Sequence, residues 1–278
     1  MSHSSRKSIL CPNCRKLIGI DEPICPYCGT RKPGARWKNL LYFRGLDEPV
    51  RLIIIANAAM YFVSILFNPS RAGFGLNPLS LFAPDSQSLL LLGATGTVPI
   101  DQLDRWWTLI SANYLHGNLL HIFFNMVALR QLGHLMVQLY GVYRLILLYT
   151  LSGIAGFLVS YMAGVTFTIG ASASVCGLIG ACLYYGKSRG GVFGQALYKQ
   201  IGGWAAAIFV FGFLVPGINN WGHGGGILAG AVLGFLLGYE ERRRETLWQK
   251  MLALGCIALT IGVLVYAVAS ALYYRTLG

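Results

Sequence analysis

From residue 51 onward the chain is a succession of long apolar runs separated by short polar or basic interruptions. Runs of roughly spanning length fall at about 51–67, 117–138, 142–164, 170–186, 200–216, 220–238 and 251–273. They predict seven membrane helices. Asn68 to His116, between the first two, carries Phe74, Trp106 and Trp107 but few cations, and is too long for a simple turn. It is expected to be a structured, non-cytosolic loop.

Composition agrees with that pattern. A chain of 278 residues that is 55% hydrophobic and only 12% charged, with a mean hydropathy of +0.57, is too apolar for an ordinary water-soluble fold. The 35 glycines fit close helix approach in lipid. The net charge of +12 is concentrated in the N-terminal arm and in interruptions between runs, so membrane topology accounts for it better than nucleic acid does. Reading Lys and Arg as cytosolic places the N-terminus, the turn at Arg144, the segment with Lys187, Arg189 and Lys199, and Arg242–Arg244 inside. The last helix then exits, leaving Arg275 outside. No apolar h-region precedes the first cysteines, so no cleavable signal peptide is expected.

Those first cysteines form two knuckles, Cys11-Pro-Asn-Cys14 and Cys25-Pro-Tyr-Cys28. Four thiolates at this spacing close a tetrahedral zinc shell, and the metal folds a segment too short to own a core. A redox pair would need a thioredoxin-like context that the sequence lacks. We therefore expect a structural Zn2+ ribbon over residues 1–30. Over residues 31–50 follows a basic amphipathic linker in which Arg31, Lys32, Arg36, Lys38 and Arg44 alternate with Trp37, Tyr42 and Phe43, a composition suited to an anionic lipid surface. Cys176, Cys182 and Cys256 lie in apolar helices and read as packing residues.

Three predicted helices, all running from outside to inside, carry polar groups near their starts: His121 and Asn125, Ser172, and His223. Ionisable side chains are costly in a membrane and mark function by default. His121 and Asn125, spaced i,i+4, share one helical face. A serine on its own among Gly and Ala is more often a helix cap or a small packing residue. Beside a neutral imidazole it becomes a candidate nucleophile.

The string His116-Gly117-Asn118-Leu119-Leu120-His121 ending in Asn125, then Gly170-Ala171-Ser172, then His223 with Gly226 and Gly230, resembles the rhomboid intramembrane serine proteases. The resemblance covers about residues 51–240 and implies an all-α polytopic membrane protein with a six-helix core. Residues 241–278 add a cytosolic basic turn and a seventh transmembrane helix. It further implies Ser172 as nucleophile, His223 as general base, and His121 with Asn125 as oxyanion donors. Gly226 and Gly230 would form a packing face, and His116 would be structural. Four positions depart from the family pattern: Ala173 replaces the usual Gly, Cys176 an aromatic that packs on the base, Thr108 an Arg after Trp106-Trp107, and Val137 a loop-anchoring Glu. Ser174 is the second-choice hydroxyl.

The implied activity is endopeptidase cleavage in or beside transmembrane segments of membrane-protein substrates, without a catalytic cofactor. The implied setting is a bacterial inner membrane with the active site opening to the outer side. The ribbon would recruit a cytosolic partner. The alternative is a catalytically inactive, client-binding relative.

Overall fold

A computed structural model describes residues 8–11, 16–29, 31, 33, 48–68, 81–215 and 217–277. Cys14, Phe74 and most of the expected linker lie outside these residues. The chain divides into two units, residues 1–48 and 49–278.

In the first unit β1 (Ser8–Leu10) pairs antiparallel with β2 (Leu17–Gly19), in the register Ile9 opposite Ile18. Its buried core is Cys11, Ile18 and Cys25. So little apolar surface cannot offset the entropy of ordering the segment, and a further cross-link is required.

The second unit is helical: α1 (Glu48–Phe67), α2 (Ser86–Leu91), α3 (Thr108–Ser111), α4 (Leu119–Tyr140), α5 (Val142–Met162), α6 (Ser172–Arg189), α7 (Gly191–Leu214), α8 (Asn220–Leu237) and α9 (Leu247–Leu277). Four of them, α1, α5, α7 and α9, are long and apolar enough by themselves to cross a membrane. The three other long helices among the described residues, α4, α6 and α8, are the three that carry the candidate site. Their polar and glycine faces are tolerated because these turn to protein, while α4 and α8 expose apolar side chains such as Phe124 and Phe235 on the other side. In α6, 12 of 18 residues are buried, and the helix packs against α4, α5, α7 and α8, with its most extensive interface on α8.

That interface is a seam of small residues. A methyl on Gly226 would overlap the Ala173 carbonyl oxygen, one on Gly230 that of Gly177, and one on Gly180 of α6 that of Ile227. The two backbones therefore touch, which only glycine permits.

Several boundaries differ from the sequence expectation. The Gly190-Gly191 pair turns the chain, and α7 begins there rather than at about 200. Lys199 thus sits in a helix, not in a connection. The seventh helix begins at Leu247 because Thr246 and Gln249 form a capping box, with Gln249 N–H donating to Thr246 Oγ1 (3.3 Å) and Thr246 N–H to Gln249 Oε1 (3.0 Å). The outer loop is structured over its described part. It contains α2, α3, a π-turn at Val98–Gln102 and a paired Thr95–Thr168 bridge. Arg144, one of the basic interruptions in the sequence, is fully buried. Gly141 (φ 91°) ends α4, and the Glu245 carboxylate then caps α5, accepting Tyr143 N–H (2.7 Å) and Arg144 N–H (3.0 Å).

Candidate active site

Ser172 is the first residue of α6 and His223 lies in the first turn of α8. The glycine seam brings these two helix starts together, and His223 Nε2 stands 2.9 Å from Ser172 Oγ. For Nε2 to accept the hydroxyl proton, the ring must carry its own proton on Nδ1. That atom is buried and meets no hydrogen-bond partner among the described residues. Among the described residues the pair therefore stands without a third, carboxylate member.

α4 supplies the facing wall. Asn118 caps the helix by accepting His121 N–H at 2.7 Å. The Gly117 N–H donates to His121 Nδ1 (3.3 Å), which leaves the neutral ring a proton on Nε2. That nitrogen points at Gly170: a methyl built there would lie 2.7 Å from His121 Nε2 and 3.6 Å from Ser172 Oγ. Asn125 is buried and donates Nδ2 to His121 O at 2.9 Å. His116, fully buried, sets its ring edge-on to His121 with centroids 5.0 Å apart.

Ser174 is turned elsewhere. Its hydroxyl donates to Asn113 Oδ1 at 2.8 Å, with both residues buried. The positions that depart from the family pattern also have local accounts. Ala173 places its methyl against Gly156 of α5, where a side chain would come within 3.0 Å. Cys176 is buried beside Gly226. Thr108 is buried, donates its hydroxyl to Arg105 O (2.6 Å) and lies 3.0 Å from Thr95 Oγ1, so its hydroxyl is used within the outer loop. Val137 is buried in the helix core. Cys182, also buried, sits 3.3 Å from the Met136 sulfur.

Sequence reasoning missed Asn219. It caps α8 by accepting Gly222 N–H (3.0 Å) and donates Nδ2 to Ser160 Oγ (2.7 Å) and Thr168 Oγ1 (2.9 Å). The usable signal was an Asn directly before the helix carrying His223.

Gly170 (φ 125°) adopts a backbone conformation that side chains resist. Gly170→Ala is expected to slow reaction at Ser172 by about 10- to 100-fold, since it both strains the turn and displaces His121 by clash. Labelling of Ser172 by an activated phosphonate measures this, and a rate equal to wild type would refute it.

In the first unit the Cys11, Cys25 and Cys28 sulfurs all lie within 4.8 Å of one another, with Cys11 and Cys28 at 3.6 Å. Four sulfurs at about 2.3 Å from a zinc ion would stand about 3.8 Å apart, so the thiolate set fits that metal.

Comparison with known proteins agrees with this architecture. Residues 103–240 match the Rhomboid domain, and the chain belongs to the rhomboid family of polytopic membrane proteins. It is 31% identical over 187 residues to the Rhomboid protease GluP of Bacillus subtilis (strain 168), covering 67% of this chain and 36% of that one. It is 28% identical over 202 residues to RHOMBOID-like protein 4 of Arabidopsis thaliana, covering 66% and 51%. With the Rhomboid-like protease 3 of Toxoplasma gondii it shares 27% identity over 238 residues, covering 82% and 84%. The chain thus spans about a third to a half of the first two relatives.

Proposed function

We propose that this chain is an intramembrane serine endopeptidase working through a Ser172–His223 dyad. The single observation that supports this best is the 2.9 Å contact between Ser172 Oγ and His223 Nε2 across two helix starts. Ser172 Oγ attacks the scissile carbonyl as His223 takes its proton. The same imidazole then returns the proton to the leaving amine, and water, deprotonated in turn, releases the acyl group from Ser172. Negative charge on the carbonyl oxygen is met by His121 Nε2–H. The first N–H groups of α6, which have no acceptor within the helix, add to that stabilisation. Asn125 holds the His121 carbonyl and contributes its remaining N–H.

Transmembrane segments of membrane proteins are the substrates, since the two reactive groups lie at the ends of helices set in a lipid bilayer. The cationic residues at the Arg189 and Arg242–Arg244 end of the bundle support a cytosolic setting for that end and for the N-terminus, in a bacterial inner membrane. The dyad, at the other end of α6 and α8, opens to the outer side. Residues 51–240 form the catalytic core, and the ribbon over 1–30, tethered by the linker 31–50, docks a cytosolic partner.

The test is exposure of the purified, detergent-solubilised protein to a fluorophosphonate, with the adduct located by mass spectrometry. An adduct on Ser172 that requires His223 is the expected result. Absence of label in folded protein, while an active rhomboid reacts alongside, would leave the client-binding relative as the correct reading.

In the ribbon, Cys11, Cys14, Cys25 and Cys28 hold one Zn2+, which supplies a closed, structural cross-link and no open position for catalysis. Elemental analysis of the purified chain is expected to give about one zinc per molecule, falling to near zero in Cys11→Ser. Wild-type protein without zinc would refute the assignment.

A further inference from the structure

Ser172 and His223 lie on separate helices, and a single neutral hydrogen bond contributes only about 1 kcal/mol. The contact between them cannot by itself hold two helix starts in register. The glycine seam sets how closely α6 and α8 approach, but its touching points begin at Ala173 and Gly226 and run away from the dyad. Something else must fix the first turn of each helix.

Four residues before each member of the dyad stands a polar side chain: Thr168 before Ser172 and Asn219 before His223. The two are bonded to each other, Asn219 Nδ2 to Thr168 Oγ1, at 2.9 Å. Asn219 also reaches the end of α5 through Ser160 Oγ (2.7 Å) and caps α8 through Gly222 N–H (3.0 Å), while its own carbonyl accepts His223 N–H (3.2 Å). Thr168 in turn is clamped to the outer loop by both backbone bonds with Thr95, at 2.7 and 3.1 Å. Ser160 and Thr168 are buried. One amide therefore joins the strand entering the nucleophile's helix, the helix of the base, and the end of the helix packed against both.

We infer that Asn219 is a positioning residue for the dyad, acting through Thr168 to fix the separation and rotation of Ser172 and His223. This rests on the proteolytic reading above. A cap for α8 alone would need only the Gly222 bond, which a serine supplies equally well. The positioning role needs the amide's reach.

The test is the fluorophosphonate inactivation rate of the full chain, resolved into its maximal rate and half-saturating concentration, with thermal melting alongside. Asn219→Ser keeps the cap and loses Ser160 and Thr168. Thr168→Val, nearly isosteric, removes only the link. Both are expected to lower the maximal rate about tenfold at a half-saturating concentration unchanged within about twofold, because misplacement slows the step without touching the probe's binding. Asn219→Asp, whose carboxylate accepts from Gly222 N–H and can accept from the Thr168 hydroxyl in place of the present bond, is expected to remain within about threefold of wild type. Wild-type rates in Asn219→Ser and Thr168→Val would overturn the inference and leave the proteolytic reading intact. So would a loss confined to half-saturation or melting. A wild-type chain that takes no label would remove both.

Discussion

Ser172→Ala is expected to lower hydrolysis of a reconstituted single-span substrate by at least about 10³-fold while leaving insertion and melting unchanged. The residual rate reflects oxyanion stabilisation and binding alone, which persist when a serine nucleophile is removed. His223→Ala should fall to a similar level, because a hydroxyl without its base is not a nucleophile at neutral pH. The double variant should then be no worse than either single one, since groups acting as one unit are grossly non-additive. That non-additivity separates a dyad from two independent contributors: rates that multiply would refute it. His121→Ala should cost about 10²-fold, within the range for one oxyanion donor. Asn125→Ala should cost less, since one of its N–H groups is already engaged by His121 O at 2.9 Å. Equal losses at the two positions would mean that Asn125 turns its amide into the site when substrate is bound.

How much of this was legible in the sequence depended on where the information resides. Helix number and order were legible because lipid allows few alternatives, and every long run became a helix among the described residues. The site residues could be named from local strings, but their meeting depends on the seam between α6 and α8. Its partner on α6, Gly177, gave no sign in one dimension of facing Gly230. Lys199 was misplaced because polar residues at the head of α7 read as a connection, whereas helix formation there follows from the glycine turn before it. The start of α9 was written in Thr246-x-x-Gln249, a capping-box spacing that the apolar count alone passed over. The cap formed by Asn219 was open to local reading, but its bonds to Ser160 and Thr168 and the partners of Arg144 in the basic turn and α9 lie 51 to 105 residues away, and a single polar letter carries no record of them.

Arg144 is the residue whose loss should damage the fold most. It is fully buried in the first turn of α5, and its guanidinium donates to Gln249 Oε1 (3.0 Å), Arg243 O (2.7 Å) and Tyr140 O (3.3 Å), with Glu240 Oε1 at 3.5 Å. These partners belong to the end of α4, the basic turn and α9, so one side chain fastens the seventh helix to the core. Arg144→Ala strands the buried Gln249 and Tyr140 acceptors, whereas Glu240, 35% exposed, is rehydrated, and the expected cost is about 2–4 kcal/mol. The melting temperature should drop, and trypsin should nick the Arg242–Arg244 turn much faster. Arg144→Lys, a point charge without the planar fork, should recover only part of the loss. Unchanged melting and proteolysis in Arg144→Ala would mean that α9 is held elsewhere. Its other end has its own contacts, with Arg275 donating to Phe67 O and Tyr266 set edge-on to Trp107. Glu245 gives the same latch a pH dependence. Burial pushes its carboxyl above the usual range, and Glu240 adds to this, against the opposing pull of the Arg144 and Tyr143 N–H groups and the Arg144 charge. A carboxyl raised in the folded state contributes fully below its ordinary value of about 4.3 and loses that contribution as pH climbs through the raised one. Glu245→Gln keeps an oxygen to accept both N–H groups but cannot ionise. Between about pH 4.3 and neutrality the wild type should therefore lose more stability than Glu245→Gln, and parallel melting curves across that range would show that the carboxylate is not buried in the latch.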